Sequence, residues 1–235
     1  MSSIIPVIIV FLAMLIQATL QLVPGGFAIF YHSALGKLSA KRADDISLYY
    51  ILGVEFAVSL IWLLVYAVMY AIFCTVPDFN NTVLTWIMAG IFGAEAVAVF
   101  FCYFRKGRST ALFIPRSLAQ NIRTHARRAK SRKDAILLGM FVGLPELVFT
   151  LPLYVISAMQ ALQFVTVPPY LVIILYILAS MVPCFVVRAY FRAGLNLAEI
   201  ERRRLRMKQA VRLALVLLYA LVAICVINLG VMQNG

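Results

Sequence analysis

Three glutamates lie inside apolar stretches of this chain, with no basic residue beside them in the sequence: Glu55, Glu95 and Glu146. An ionised carboxylate at the middle of a bilayer is costly, and such a side chain usually faces a bundle interior or a water-filled cavity. There it binds a cation, exchanges a proton or bonds to polar neighbours. Oxygen ligands of this kind favour manganese, magnesium or calcium. The three glutamates are therefore our candidate cation-binding and metal-ligating residues.

Helix-breaking residues accompany these carboxylates. Pro24-Gly25-Gly26 interrupts the first apolar stretch, and Pro145 directly precedes Glu146. A proline frees the carbonyl one turn earlier and glycines let the backbone unwind, so we predict broken helices that expose backbone groups to a substrate. Gln17 and Gln21, one turn apart, could line the same path, and helix–helix hydrogen bonding is the equal alternative.

One shared site for the three carboxylates is geometrically feasible. At a rise of 1.5 Å per residue, their depths in the bilayer differ by only about 5–10 Å. The alternative is that one or two of them are protonated and serve as hydrogen-bonded contacts between helices.

The elements that carry these residues follow from the charge pattern. All 21 Lys and Arg residues fall in the windows 37–42, 105–133 and 188–212, and the stretches between them are almost wholly apolar. Because a helix crosses a bilayer with about 20 apolar residues, we predict six spans. They are Ile4–Phe30, Leu48–Thr75, Val83–Phe104, Ala135–Phe164, Tyr170–Phe191 and Ala210–Leu229. Cytoplasmic loops are enriched in Lys and Arg, which places both termini on the non-cytoplasmic side.

The predicted fold is an all-α integral membrane protein with a single transmembrane domain over residues 1–235. Two three-helix halves, about 1–104 and 135–235, are joined by the basic cytoplasmic loop 105–134. Three spans per half would give the halves opposite orientations, the plan of inverted-repeat transporters. Residues 109–134 of the loop predict a basic amphipathic helix on the membrane surface, and its role is either regulatory or topological anchoring.

Composition excludes several classes of function. With 64% hydrophobic residues and a mean hydropathy of +0.97, the solvent must be lipid. The net charge of +12 then indicates contact with anionic lipid headgroups, and we predict no nucleic-acid partner. The sequence has no Walker loop, HExxH, GxSxG or zinc-type cluster. We therefore predict that the protein is not an enzyme and holds no cofactor besides a bound divalent cation.

The first half of the chain resembles the lysine-exporter (LysE-like) superfamily. The resemblance rests on the order and spacing of Pro24-Gly25, Gly36, Arg42-Ala43 and Gly53. In that family, a Pro/Gly break late in the first span precedes a basic hairpin and a second span that contains glycine. The resemblance implies a six-span exporter.

The fourth span extends this resemblance and departs from it. The sequence from Gly139 to Glu146 looks like the family's second proline-centred break, but Leu144 and Glu146 replace the Asn and Lys that commonly flank the proline. Gly26-Phe27 also stands where amino-acid exporters usually show a proline and a polar residue. A carboxylate in place of a lysine favours a cationic substrate or a proton, and metal-transporting branches of the superfamily use acidic residues in the membrane.

These observations support one leading function and two alternatives. The leading hypothesis is a secondary active transporter in the plasma (inner) membrane, an exporter of a divalent metal or a cationic small solute. The alternatives are a proton-coupled exporter of an amino acid or other small metabolite, and a non-transporting lipid-binding or scaffold membrane protein. Small residues of the third span, Gly90, Gly93 and Ala94, could make either an intramolecular or a homodimer contact.

Overall fold

A computed structural model describes residues 4–21, 25–76, 81–102, 124–126, 128–129, 131–143, 147–163, 169–194 and 197–234. Long helices dominate these ranges, and no strand occurs within them. The helices are α1 (Ile4–Gln21), α2 (Gly25–Leu35), α3 (Ala40–Thr75), α4 (Asn81–Cys102), α5 (Arg132–Gly143), α6 (Leu147–Gln163), α7 (Pro169–Arg192) and α8 (Leu197–Asn234). The prediction of an all-α protein is confirmed for this part of the chain.

Four segments are long and apolar enough to cross a bilayer: Ala40–Thr75, Thr82–Phe101, Pro169–Arg192 and Gln209–Met232. They coincide with the predicted second, third, fifth and sixth spans, and most of their surface is not buried inside the protein. Large apolar side chains such as Leu63 and Leu64 are exposed there. Helices of this length and composition indicate a membrane-embedded protein.

The predicted first and fourth spans each correspond to two helices. Their apolar helical parts, Ile4–Leu20 and Thr150–Leu162, are shorter than a bilayer-crossing helix. Residues 22–24 and 144–146, which contain the predicted breaks at Pro24 and Pro145, lie outside the described residues. Gly25 and Gly26 form the first turn of α2, so the backbone at these two glycines is helical and not unwound as predicted.

The helix pairs differ in how extensively they pack. The two most extensive contacts are α4 against α8 and α3 against α5. Between these pairs, α1 packs against α6, α7 and α8, and α3 packs against α6 and α7. Although α3 and α4 are consecutive in sequence, they are not one of the well-packed pairs.

Two glycines bring the backbones of α3 and α5 into contact. A Cβ atom at Gly53 would lie 2.2 Å from the carbonyl oxygen of Ile136, and one at Gly139 would lie 2.2 Å from the carbonyl oxygen of Tyr50. Only glycine permits so close an approach, because any side chain would overlap a backbone atom that cannot rotate away. The crossing of α3 and α5 is therefore fixed at these two residues.

The basic windows are described in part. Ala126 and Ala129, on the predicted apolar face of the loop helix, are buried, whereas Leu118, Ala119 and Ile122 lie outside the described residues. Residues 197–212, which contain most of the third basic window, form the first part of α8. Glu199 pairs there with Arg202 at 3.7 Å and with Arg203 at 3.5 Å, three and four residues away, as expected for helix-stabilising pairs.

Candidate functional site

A cluster of charged and aromatic side chains joins α2, α3 and α7 at the end of the bundle that carries the basic residues. Asp44 of α3 accepts bonds from both guanidinium groups of α7: the Nε and Nη2 atoms of Arg188 donate at 2.7 Å each, and the Nε atom of Arg192 donates at 3.1 Å. A second Arg192 bond comes from its Nη2 atom. The hydroxyl of Tyr31 donates to the same carboxylate at 3.2 Å. We call Tyr31, Asp44, Arg188 and Arg192 the basic-end cluster.

Asp44 is held in its charged form. It lies one turn before Leu48, where the apolar run of the predicted second span begins. Burial by itself would raise the pKa of Asp44, but the hydrogen bonds from Arg188 and Arg192 outweigh that effect and lower the pKa below its ordinary value. With two guanidinium groups and one carboxylate, the basic-end cluster has a net charge of +1.

Asp45, the acidic residue next to Asp44, makes a separate ion pair with α5. Arg132 donates to Asp45 at 2.8 and 3.1 Å and lies over the ring of Tyr49, 4.9 Å from its centre. Together with the Asp44 contacts, this bridge brings the edges of all three basic windows to one end of the bundle. We call this end the basic end.

Glu55 lies inside the bundle, eleven residues along α3 from Asp44 and so about 16 Å from it along the helix axis. Only 5% of its surface is exposed. The hydroxyl of Ser180 on α7 is in hydrogen-bonding contact with its Oε2 atom, and its Oε1 atom has no partner in the part of the chain that the structure describes. The buried position agrees with the sequence prediction, whereas the contact with Ser180 was not predicted.

The hydroxyl of Ser180 also lies 3.0 Å from the carbonyl oxygen of Ile177. A hydroxyl has a single proton, so Ser180 can donate to only one of these two oxygens at a time. When it donates to Ile177, its contact with Glu55 requires a proton on the carboxyl group. The geometry therefore accommodates both the charged and the neutral form of Glu55.

The hydroxyl one turn after Glu55 does not join this site. Ser59 lies four residues further along α3, and its hydroxyl donates to the backbone carbonyl of Glu55 at 2.7 Å. Such a bond within one helix turn leaves the carboxylate free. Thr150 follows Glu146 by four residues, as Ser59 follows Glu55. Thr150 is buried, while Glu146 and Pro145 lie outside the described residues.

Glu95 is also buried but occupies a different part of the bundle. Its surface is 9% exposed, and its Oε2 atom has no partner among the described residues. It lies on α4, which packs on α8 and α6, whereas Glu55 lies on α3. Within the described residues, no three His, Cys, Asp or Glu side chains group closely enough to hold a metal ion. A metal site shared by Glu55, Glu95 and Glu146 stays a prediction.

Two buried glutamines add polar groups to the interior. Gln17 of α1 and Gln160 of α6 are 1% and 0% exposed, and the Gln17 Oε1 atom and both polar atoms of the Gln160 amide are without partners in the described residues. The helices α6 and α7, which carry Gln160 and Ser180, each contact both α1 and α3, which carry Gln17 and Glu55. The side chain of Gln21, predicted to line a path with Gln17, is not described.

The Gln160 position was missed from the sequence, although a signal existed. Gln160 follows Ser157 by three residues in an otherwise apolar run, a spacing that puts both polar groups on one face of a helix.

A second inter-helix contact lies beyond Glu55, towards the end opposite the basic end. The indole Nε1 of Trp62 donates to the hydroxyl of Ser157 at 3.0 Å, joining α3 to α6. Trp62 lies seven residues from Glu55, about 10 Å further along α3. Glu55 thus occupies a position between two inter-helix contacts, the basic-end cluster and the Trp62–Ser157 bond.

Comparison with known proteins adds no relative. No protein-family model, no curated protein and no solved structure matches the chain.

Proposed function

We propose that the protein is a secondary active transporter that exports a cation through six membrane crossings arranged as in the lysine-exporter superfamily. In this arrangement, α1 with α2 and α5 with α6 form the first and fourth crossings. The plasma (inner) membrane is the proposed location, and the basic end is the proposed cytoplasmic end, because Lys and Arg are enriched on that side.

The pattern of helix contacts supports two related halves, α1–α4 and α5–α8. Exchanging the halves turns the contacts of α3 with α5 and α6 into those of α7 with α1 and α2. It also turns α2–α8 into α6–α4 and α2–α3 into α6–α7, and it leaves α4–α8 and α3–α7 unchanged. The contacts of α1 with α6 and α8 have no counterpart of similar extent among the described residues, so the two halves pack alike only in part. Because three crossings per half reverse the direction of the chain, such a symmetry corresponds to an inverted repeat.

The buried carboxylate of Glu55 is the single observation that carries the cation proposal. Among the described residues, one of its oxygens is in contact with Ser180, the other has no partner, and no basic side chain is bonded to it. An unpaired ionisable group inside a membrane bundle is expensive and usually marks an ion or proton pathway. A bound cation or a proton would supply the charge that the surrounding residues do not supply.

The contacts on either side of Glu55 suggest how access would alternate. In this conformation the basic-end cluster bridges α2, α3 and α7, and the Trp62–Ser157 bond bridges α3 and α6. Opening one bridge while the other holds would expose Glu55 to one side of the membrane at a time, as transport by rocking helix groups requires.

The unpartnered amides favour a second candidate, a proton-coupled exporter of a zwitterionic metabolite. Gln160 and Gln17 offer neutral donors and acceptors in the same interior, which suit a polar organic solute better than a metal ion. In this case Glu55 would carry the proton, using the two hydrogen-bonding arrangements that Ser180 allows.

A flux measurement in proteoliposomes tests the proposal. Vesicles containing the full chain and an internal metal-sensitive dye are exposed to manganese, magnesium or calcium, and separately to a panel of labelled amino acids. We expect cation flux that is lost in the Glu55→Gln variant and retained in the Glu199→Gln variant, which removes an acidic group outside the bundle interior. Amino-acid flux with proton movement would favour the second candidate. Cation flux that is unchanged in Glu55→Gln would contradict the carboxylate mechanism.

A further inference from the structure

The basic end contains a cleft of about 730 Å³ between the beginnings of α3 and α5. Four of its lining residues are cationic and one is acidic: Lys41, Arg42, Arg132, Lys133 and Asp45. Only Arg132 has an ion-pair partner in the described part of the chain, namely Asp45. The cleft therefore presents an excess of positive charge to any ligand.

We infer that this cleft is a binding site for the phosphate group of an anionic phospholipid. The inference concerns a site that is separate from Glu55, and it does not depend on the proposed transport function.

The backbone of both helices contributes to the cleft. Ser39 and Ser131, which directly precede α3 and α5, line the cleft and place the two helix starts there. Ser39 makes no side-chain bond to the first turn of α3, which leaves N–H groups of that turn without a side-chain cap. N–H groups at a helix start attract phosphate oxygens, and here they reinforce the four cationic side chains.

The start of α5 differs from the start of α3. The hydroxyl of Ser131 accepts from the N–H of Asp134 at 3.1 Å, and the carboxylate of Asp134 accepts from the N–H of Ser131 at 3.1 Å. This reciprocal cap stabilises the N-terminal turn of α5. Its Arg132 and Lys133 side chains are consequently held on a capped helix at the rim of the cleft.

The surface next to the cleft fits lipid chains. On α3, the exposed residues Leu52 and Phe56 follow Asp45 and Tyr49 at helical spacing, and on α5 the exposed residues Leu137 and Phe141 follow Lys133 at steps of four. A headgroup in the cleft would therefore have its acyl chains against these apolar side chains. This continuity of charge and apolar surface favours a phospholipid over free phosphate.

The experiment uses the full chain purified in an uncharged detergent, with thermal unfolding as the readout. Dioleoyl phosphatidylglycerol, dioleoyl phosphatidylcholine or inorganic phosphate is added over a concentration range at constant salt. A ligand that binds only the folded protein raises the Tm in a saturable way. We expect a saturable rise with phosphatidylglycerol and little or none with the other two.

Two variants with equal charge loss locate the effect. Lys41→Gln with Lys133→Gln removes two cations from the cleft, and Arg202→Gln with Arg206→Gln removes two from the exposed start of α8. Since each basic side chain near a headgroup contributes on the order of 1 kcal/mol, we expect the cleft variant to bind phosphatidylglycerol about 10- to 30-fold more weakly. The α8 variant should bind it as the unaltered protein does.

A third variant is expected to strengthen binding. Asp45→Asn removes the one acidic group of the cleft and releases Arg132 from its partner, so phosphatidylglycerol should bind several-fold more tightly. This gain cannot arise from loss of folding.

Three results would overturn the inference. Equal stabilisation by inorganic phosphate would identify a soluble anion as the ligand. Equal weakening in the cleft and α8 variants would show a diffuse attraction of lipid to positive charge. No weakening in the cleft variant would show that the cleft is not where the lipid binds.

Discussion

Asp44 and Glu55 are acidic residues eleven positions apart on the same helix, and their surroundings are opposite. Asp44 receives bonds from Tyr31, Arg188 and Arg192. Glu55 is in contact with the hydroxyl of Ser180 and has an oxygen with no partner in the described residues. Within the described ranges, each oxygen of the first carboxylate has a partner, whereas one oxygen of the second has none.

This difference separates a structural role from a functional one. A carboxylate bonded by two guanidinium groups holds helices together and has little capacity left for a ligand. A buried carboxylate without a basic partner destabilises the folded protein unless a proton or a cation joins it. Removing the charge of Asp44 should therefore destabilise the protein far more than removing the charge of Glu55.

The largest expected effect comes from the glycines that position α3 for both residues. Gly53→Ala or Gly139→Ala would place a methyl group 2.2 Å from a backbone oxygen of the facing helix. The helices must then separate, and we expect a loss of folded protein or a fall in Tm of more than about 10 °C, since overpacking alone costs about 1–3 kcal/mol and the obstacle here is backbone.

Matched controls exist on α4. At Gly90 and Gly93, an added Cβ would meet nothing within 4 Å, so Gly90→Ala and Gly93→Ala should leave the Tm within a few degrees of its original value. Their positions face away from the described part of the chain, and these glycines therefore make no close intramolecular contact there. A similar fall in Tm for both pairs of variants would show that glycine content, and not the α3–α5 crossing, determines stability.

The next effect is the removal of charge from Asp44. Asp44→Asn leaves Arg188 and Arg192 facing each other without an anion, and we expect a loss of about 3 kcal/mol, at the low end for breaking a buried ion pair. The adjacent Asp45→Asn variant is the control. The Arg132 partner of Asp45 is 60% exposed, and an exposed pair contributes at most about 1 kcal/mol. Equal losses in the two variants would contradict the structural role of the basic-end cluster.

The sequence predicted well the four helices that are long and apolar enough to cross a bilayer, and it predicted the contacts between helices poorly. The end of α3 at Thr75 and the limits of α7, within one residue, follow from the lengths of apolar runs. The buried positions of Glu55 and Glu95 follow from their apolar flanks.

The contacts could not be predicted, because they join residues far apart in the chain. Ser180 is 125 positions from Glu55, and Arg188 is 144 positions from Asp44. The sequence contains Gly53 and Gly139 without any sign that they face each other. Local composition determines which segments enter a membrane, whereas their pairing depends on packing that a single sequence does not display.

A smaller stability effect is expected from Glu55→Gln. Glutamine has nearly the same volume and can accept from Ser180. The free energy of unfolding should therefore change by no more than about 1 kcal/mol, the contribution of a single hydrogen bond. The distinguishing readout is the ligand response: a rise in Tm caused by a divalent cation in the unaltered protein should be absent in Glu55→Gln. A fall in stability as large as that of Asp44→Asn would remove the proposed distinction between the two acidic residues.

The last expected effect is a pH dependence of the Tm that is due to Asp44 alone. Its folded-state pKa is lowered by the Arg188 and Arg192 bonds relative to the unfolded value of about 3.9. The folded state therefore binds fewer protons at this group, and the stabilisation is complete above about pH 4 and is lost as the pH falls through the folded-state pKa. Between pH 5 and 8 the Tm difference between the unaltered protein and Asp44→Asn should be constant. Below about pH 4 the difference should begin to shrink, because the unfolded state then takes up a proton at Asp44 that the folded state does not bind. Tm measured from pH 8 to pH 3 for both proteins tests this, and since the other acidic groups are common to both, their titration cancels in the difference. A Tm difference that already narrows between pH 7 and 5 would mean that the guanidinium groups do not hold Asp44 in its charged form.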